Sequence, residues 1–231
     1  MIIGINGYSG SGKDTLGVLI QYINCFNVGE VSIEDILNDY TSHQWWLEEQ
    51  SGWEIKKYAG KLKTIGSLLT GIPVEKFEDQ EFKKTRLSSE WNIHGMPMTV
   101  REFLQKLGTD ALRDGLHSNA WVNALFADYK KEFSECGVSK AGTTINCAKY
   151  PNWVITDVRF PNEAKAIKDR GGVMIRIDRP FVKPINNHPS EISLDTWKFD
   201  YKIANVSDLV SLKFTIKNIL EEVNENNKTK N

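Results

Sequence analysis

The chain has 231 residues, with 29 Lys and Arg against 30 Asp and Glu and a formal net charge of -1. That length suits one ordinary domain with insertions and buries a substantial core without staples, while the balanced charge gives no bulk argument for nucleic acid. Cys25, Cys136 and Cys147 form no C-x-x-C pair, so no zinc site or disulfide framework is expected and free thiols in a reducing compartment are. No apolar run approaches the roughly 20 residues of a membrane span, and no basic-then-apolar leader stands at the start. The expectation is a soluble, cytoplasmic protein whose partners include neither membrane nor nucleic acid.

In chain order, "MIIGING" reads as a short apolar strand ending in glycine, and "DTLGVLIQYI" places Leu16, Leu19, Ile20 and Ile23 at helical spacing. Residues 27–52 are mixed and read as an irregular or partly helical insertion, with Trp45, Trp46 and Trp53 as its packing residues. "WEIKKYA" predicts a second strand, and "GKLKTIGSLL" a helix. "TVREFLQKLGTDALRDGL" and "NAWVNALFADYKKEF" predict two amphipathic helices with a break near His117–Asn119. "SECGVSKAGTTINCAKYP" has the composition of an exposed loop or hairpin. "WVITDV" predicts a strand ending in Asp157, and "PNEAKAIKDRGG" a helix with Pro161 in its first turn and Gly171–Gly172 closing it. "VMIRIDRP" alternates like a strand, "KPINNHPSEISLD" is a polar loop, and "YKIAN" is a last strand. "SDLVSLKFTIKNILEEV" predicts a closing helix capped by Ser207, with "NENNKTKN" as a frayed tail.

Strands alternating with helices predict an α/β fold, a doubly wound parallel sheet of about five strands covered on both faces. Ligands in such sheets bind at the carboxyl ends of the strands, where strand order reverses. "GYSGSGKDT", residues 7–15, stands between the first strand and the first helix, which is where a phosphate-binding loop belongs. Gly7, Gly10 and Gly12 let backbone N–H groups wrap phosphates, Ser11 adds to the cradle, and Lys13 supplies a compact positive charge. The usual signature has Ser or Thr directly after the lysine, whereas here Asp14 intervenes before Thr15. G-x-x-G-x-G-K-x-T resembles the variant carried by nucleoside monophosphate kinases of the adenylate kinase type, in which Thr15 serves the phosphates or magnesium. Asp14 is either part of that site or a helix-start acid favoured by the dipole.

"WVITDVRFPNEA" then supplies Asp157 at a strand end, followed by Arg159 and Glu163. Asp157 can hold magnesium, directly or through water, and Arg159 can neutralise charge on a transferring group. Alternatively Asp157 caps the next helix and Arg159 pairs with Glu163 on the surface. The ordered set of G-x-x-G-x-G-K-D-T, "KLK", "LQKLGTD" followed by a tryptophan, "DVRFPNEA", "RIDRP", "HPSE" and "IANVSDL" resembles the deoxynucleoside monophosphate kinases of tailed bacteriophages, over about residues 1–220. The stretch 27–52 is the part least like them.

The resemblance implies a single P-loop domain of the nucleoside triphosphate hydrolase type. Its core would be about 1–26, 53–60, 150–180 and 200–224, with a helical acceptor-binding region at about 60–135 and a lid at about 179–200. It implies ATP with Mg2+ as donor and a deoxynucleoside monophosphate as acceptor, and it is compatible with a homodimer. Lys13, Asp157 and Arg159 would be catalytic, and Thr15 and Asp157 would hold the metal. Arg176 and Arg179 would join the loop residues in binding ATP. Lys61, Lys63, Arg101, Gly108, Thr109 and Trp121 would line the acceptor pocket with Asp157, Arg159 and Glu163.

Plainer roles stand beside these. Lys61 and Lys63 also suit a solvated helix start, Arg101 a surface ion pair, Trp121 the core and Gly108 close helix packing. Arg176 lies on an alternating strand and can face either way, and "HPSE" also reads as a helix start with Ser190 as N-cap rather than a use of His188 in catalysis. Transfer between phosphates needs no general base, which fits the lack of a nucleophile–base set. Water must be excluded, so closure of 55–120 and 179–200 around the substrates is expected. Rival readings are a kinase of another phosphorylated metabolite, of the dephospho-coenzyme A or phosphomevalonate type, an ATPase or switch acting through a protein partner, and a module that only binds phosphate.

Overall fold

The computed structural model describes residues 1–26, 31–138, 144–184, 188–206 and 208–228. The chain forms two compact units, one of Met1–Lys56 with Tyr129–Asn231 and one of Lys57–Asp128. The first unit is built on β1 (Ile2–Asn6), a strand buried along its whole length, so its apolar run faces helices on both sides. A loop leads into α1 (Lys13–Asn24), whose inward face carries Leu16, Leu19 and Ile20 at full burial. Two further helices follow, α2 (Ile33–Asn38), capped by Ser32 Oγ on the Asp35 N–H, and α3 (Tyr40–Ser51). Ile33, Ile36 and Leu47 from these helices belong to the same core cluster as Ile3, Ile5 and Leu19. Of the stretch expected as an irregular or partly helical insertion, the described residues 31–52 are largely helical and contribute to the core, and residues 27–30 lie outside the described residues. Trp53 is buried and Trp46 packs against the cluster, but Trp45 is 73% exposed and is no packing residue.

β2 (Trp53–Lys56) closes one edge of the sheet. In the Lys57–Asp128 unit, α4 (Ala59–Thr70) packs at Gly66 against Phe77, Phe103 and Leu104. α5 (Val100–Gln105) starts with reciprocal hydrogen bonds between Thr99 and Glu102, and a π-helical stretch (Lys106–Asp114) continues it. The Gly115 N–H reaches the Asp110 carbonyl and the His117 N–H the Leu112 carbonyl, both five residues back. α6 (Ala120–Phe126) completes this unit and is shorter than the amphipathic pattern predicts.

The residues after it return to the first unit as β3 (Glu132–Val138), which pairs antiparallel with β4 (Thr144–Lys149), the hairpin of the two expected forms, loop or hairpin. Residues 139–143 of that predicted loop lie outside the described residues. Cys25 is a free thiol, whereas Cys147 on β4 is disulfide-bonded, against the expectation of free thiols. β5 (Asn152–Ile155) ends two residues before Asp157, and α7 (Pro161–Lys168) follows. β6 (Val173–Asp178), the four-residue α8 (Pro189–Ile192), β7 (Tyr201–Ala204) and α9 (Leu209–Lys228) complete the chain. α9 begins under Asp208, whose Oδ1 accepts from the Ser211 N–H at 2.8 Å. Ser207, the expected cap, lies outside the described residues, and residues 224–228 of the expected frayed tail continue the helix.

The five strands β2, β5, β1, β6 and β7 lie side by side in that order, all parallel, which is the predicted doubly wound α/β sheet. After β1 the chain moves to the β2 edge; after β5 it crosses to β6 on the other side of β1. Strand order therefore reverses between β1 and β5, and a crevice at their carboxyl ends is where such a sheet binds ligands.

Candidate functional site

The loop of residues 7–15 rises from the carboxyl end of β1 at that crevice. A side chain at Gly7 would place its Cβ 2.3 Å from the Ile177 carbonyl oxygen, so only glycine lets the loop lie this close to β6. Gly12, just ahead of α1, has φ of 102°, a left-handed conformation that glycine adopts without strain. From the end of β7, Asn205 Nδ2 donates to the Ser11 carbonyl at 3.0 Å and supports the loop from beside it. The Ser11 hydroxyl is buried and has no hydrogen-bond partner among the described residues. An orphaned buried hydroxyl inside a glycine loop at a helix start fits a phosphate ligand, which would satisfy it.

Lys13 Nζ donates to the Tyr8 carbonyl at 2.8 Å, folding back over the loop. Burial, and then the nearby Arg159 cation, push its pKa down from 10.5 to about 8, while Asp14, Glu191 and Asp157 pull the other way. Asp14 is exposed and sits in the first turn of α1, where the dipole favours an acid. It also accepts from Thr156 Oγ1 at 2.9 Å, tying the helix start to the end of β5. Asp157 follows, buried. Among the described residues no cluster of three or more His, Cys, Asp or Glu forms. The buried carboxylate of Asp157 is the kind of oxygen donor of which a magnesium ion takes one or two, keeping phosphate and water for the rest of its shell.

The turn after Asp157 is held by Glu163, 3% exposed, whose carboxylate accepts from the backbone N–H groups of Arg159 and Phe160 at 2.7 and 3.0 Å. Arg159 does not pair with Glu163 through its guanidinium; it forms an ion pair with Glu191 of α8 at 2.8 Å. His188 caps α8 by accepting from the Ser190 N–H, so the cap expected of Ser190 falls to the histidine.

Arg176 on β6 is buried, with nitrogens on Asn6, Asp178 and Asp195 and its plane 4.6 Å from the centre of the Tyr8 ring. The Tyr8 hydroxyl donates to the other oxygen of Asp195 at 2.9 Å. Burial opposes the Arg176 charge, but hydrogen bonds to Asp178 and Tyr8, together with charge interactions with the same two groups, outweigh it and raise its pKa. The structure thus places Arg176 as a brace for Tyr8, and Arg179 exposed beyond the end of β6.

In the Lys57–Asp128 unit, Lys63 is buried and paired with Glu78, and Lys61 reaches the Ala124 carbonyl and Asp128. Arg101 donates to Gln80 at 3.1 Å. Trp121 is buried and its Nε1 donates to the Gly108 carbonyl at 2.8 Å, while a Cβ on Gly108 would meet Leu62 at 2.9 Å. Thr109 is buried beside Gly108 in the π-helical stretch.

Within the first unit the structure brings together Lys13, Asp14, Asp157 and Arg159. Sequence reasoning missed Tyr8, Thr156, Asp195, Asn205 and the link from Glu191. One signal was available for two of them, Thr156 and Asn205, because a polar residue stands at or just past the end of β1, β5, β6 and β7: Asn6, Thr156, Asp178 and Asn205. In a parallel sheet those positions meet at the ligand edge.

The parallel sheet, with a glycine loop and lysine at the point where strand order reverses, defines a P-loop nucleotide-binding protein of the kinase type. The sequence profile of the family described as deoxynucleotide monophosphate kinase matches residues 54–216. A protein of Acanthamoeba polyphaga mimivirus, provisionally given that same name, is 30% identical over 168 residues, 69% of this chain and 79% of the viral one. The deoxynucleotide monophosphate kinase of Enterobacteria phage T4 is 28% identical over 123 residues, 53% of this chain and 46% of its own. The deoxynucleoside-5′-monophosphate kinase of Escherichia phage T5 is 22% identical over 259 aligned positions, 96% of both chains. The chain belongs to the deoxynucleotide monophosphate kinase family and is a phosphotransferase. The profile match begins within β2, so the reading of the phosphate loop stands on its own geometry. Among the described residues no helix is long and apolar enough to cross a membrane.

Proposed function

We propose that the chain transfers the terminal phosphoryl group of ATP to the 5′-phosphate of a deoxynucleoside monophosphate, giving ADP and a deoxynucleoside diphosphate. The observation that carries this reading is the convergence of Lys13 with Asp157 and Arg159 at the crevice between β1 and β5, in a chain of this family. The loop N–H groups of Gly7 to Lys13 hold the ATP phosphates, and the Ser11 hydroxyl gains a partner. Lys13 leaves the Tyr8 carbonyl for the phosphates and follows the transferring group. An oxygen of the acceptor phosphate attacks in line, the bond to the bridging oxygen breaks, and its electron pair leaves with ADP. The attacking oxygen is already ionised, so no base is needed.

Arg159 neutralises charge between donor and acceptor, and Glu163 fixes the turn that presents it. Magnesium, held on Thr15 and Asp157 directly or through water, supplies charge neutralisation and alignment of the phosphates when bound. Arg179 is the lid-side cation for ATP, and Arg176 contributes by bracing Tyr8. Lys61, Lys63, Arg101, Gly108, Thr109 and Trp121 form the acceptor side, with Arg101 on the acceptor phosphate.

The test is ADP release from Mg-ATP with each deoxynucleoside monophosphate, each ribose counterpart and no acceptor. Release that depends on a deoxynucleotide, and drops about 10²–10³-fold in Lys13→Ala, is the expected result. Release without acceptor points instead to an ATPase, and silence across the panel sinks the assignment.

A further inference from the structure

The segment 188–195 was expected as part of a lid, yet two of its carboxylates reach opposite sides of the crevice. Asp195 holds Tyr8 of the phosphate loop and Arg176 of β6. Glu191 holds Arg159 at the end of β5. The second contact is the unusual one. The Glu191 side chain is only 5% exposed, while its partner Arg159 is 42% exposed. A carboxylate is rarely withdrawn from water to this degree unless its partner is fixed with it.

Arg159 has its backbone N–H on Glu163 and one terminal nitrogen on Glu191, and among the described residues its guanidinium has no other hydrogen-bond partner. The rest of the fork remains for an anion. Lys13 lies close enough to feel Arg159 as a repelling charge and Glu191 as an attracting one. A second cation beside the loop lysine is thus kept in place by an acid from a separate element.

We propose that Glu191 is a positioning residue for phosphoryl transfer: it fixes the guanidinium of Arg159 beside the phosphate loop, leaving the other donors of the fork for the transferring group. The inference rests on the phosphoryl-transfer reading and adds a residue to it. Without Glu191, a long flexible arginine next to Lys13 swings away from the like charge, and a small misplacement at a reacting centre is costly in rate. A purely structural tether is the competing account. Against it, Asp195 already ties the same segment to Tyr8 and Arg176 without Glu191.

The experiment uses the full chain and the variants Glu191→Gln, Glu191→Asp and Asp195→Asn, with Glu191→Gln removing the charge while keeping the volume. Expected for Glu191→Gln is a fall in kcat of about 10–100-fold, with KM for ATP within about threefold and an unchanged melting temperature. Glu191→Asp should recover part of the rate. A readout independent of turnover is modification of Arg159 by phenylglyoxal without nucleotide, followed by peptide mass mapping. It should quicken severalfold in Glu191→Gln and not in Asp195→Asn. Unchanged labelling overturns the proposal, and so does a kcat within twofold of the parent. A rate loss that tracks a lower melting temperature equally in Glu191→Gln and Asp195→Asn also overturns it, in favour of a tether. If the parent protein phosphorylates no deoxynucleotide, the functional reading fails separately, and the labelling result alone decides whether Glu191 holds Arg159.

Discussion

In the unit that carries the phosphate loop, several polar links at the strand ends run between residues far apart in the chain. Thr156 to Asp14 spans 142 positions, Arg176 to Asn6 spans 170, and Tyr8 to Asp195 spans 187. In the Lys57–Asp128 unit most of the named links are shorter: Lys63 to Glu78 spans 15, Trp121 to Gly108 spans 13 and Arg101 to Gln80 spans 21, while Lys61 to Ala124 spans 63. Long-range links exist only once the sheet has brought its strand ends together, so the phosphate site is as ordered as the sheet itself. Among the proposed acceptor residues, Arg101, whose link to Gln80 is short and exposed, can be altered with little effect elsewhere, whereas Lys63, Thr109 and Trp121 are buried.

The hardest blow to this contrast falls on Gly7. Gly7→Ala drives a Cβ into the Ile177 carbonyl, a backbone atom that cannot move without distorting β6. The expected outcome is loss of ATP-dependent turnover together with about 1–3 kcal/mol of stability, read by denaturant unfolding. Turnover near the parent level would show that the loop is not locked to the sheet.

Next in size is the response to pH. Lys13 binds phosphate as the cation, and its pKa in the free protein is lowered to about 8, by burial and then by Arg159. Protonated lysine therefore dominates below pH 8 and is lost as pH rises through it. The kcat/KM for ATP should fall about tenfold per unit above that point. A profile flat to pH 10 would contradict the burial of Lys13.

A smaller effect is expected in the other unit. Arg101→Ala should raise KM for the deoxynucleotide about tenfold, with KM for ATP and unfolding unchanged, because the hydrogen bond it loses is local and exposed. An equal rise in both KM values would remove Arg101 from the acceptor side.

The mildest is Thr156→Val, which deletes one long-range link to Asp14 while keeping the side-chain shape. A stability loss of about 0.5–1.5 kcal/mol is expected, with KM for ATP rising more than KM for the acceptor. If stability is untouched, the strand-end links are less binding than the contrast supposes.

Much of the fold is legible because its signals are local. "MIIGING" and "WVITDV" read as apolar strands and "VMIRIDRP" as an alternating one, and the glycines of 7–12 with Lys13 read as a phosphate loop. Misreadings arise where pairing overrode pattern. "YKKEF" continues an amphipathic helical period, yet Glu132–Val138 is a strand because β4 is there to pair with it. "LQKLGTDALRD" reads as ordinary helix, and its five-residue hydrogen-bond step leaves no mark in hydrophobic spacing. Residues 33–51 show no clean period, but Ile33, Ile36 and Leu47 find the core.

The sequence by itself determined the class of site, since glycine's backbone freedom, the lysine charge and the strand before them act within a dozen residues. It also determined that Asp157 and Arg159 follow a strand. Only the tertiary structure decided that Glu191, not Glu163, takes the Arg159 guanidinium, that Arg176 braces Tyr8, and that Asp14 joins Thr156. Those choices depend on strand order, which brings Tyr8 to Arg176 and Asp14 to Thr156 from more than a hundred positions away, and on the placement of α8, which brings Glu191 to Arg159 from 32 positions away. The free energy that selects among charged partners comes from that placement and from the burial it imposes.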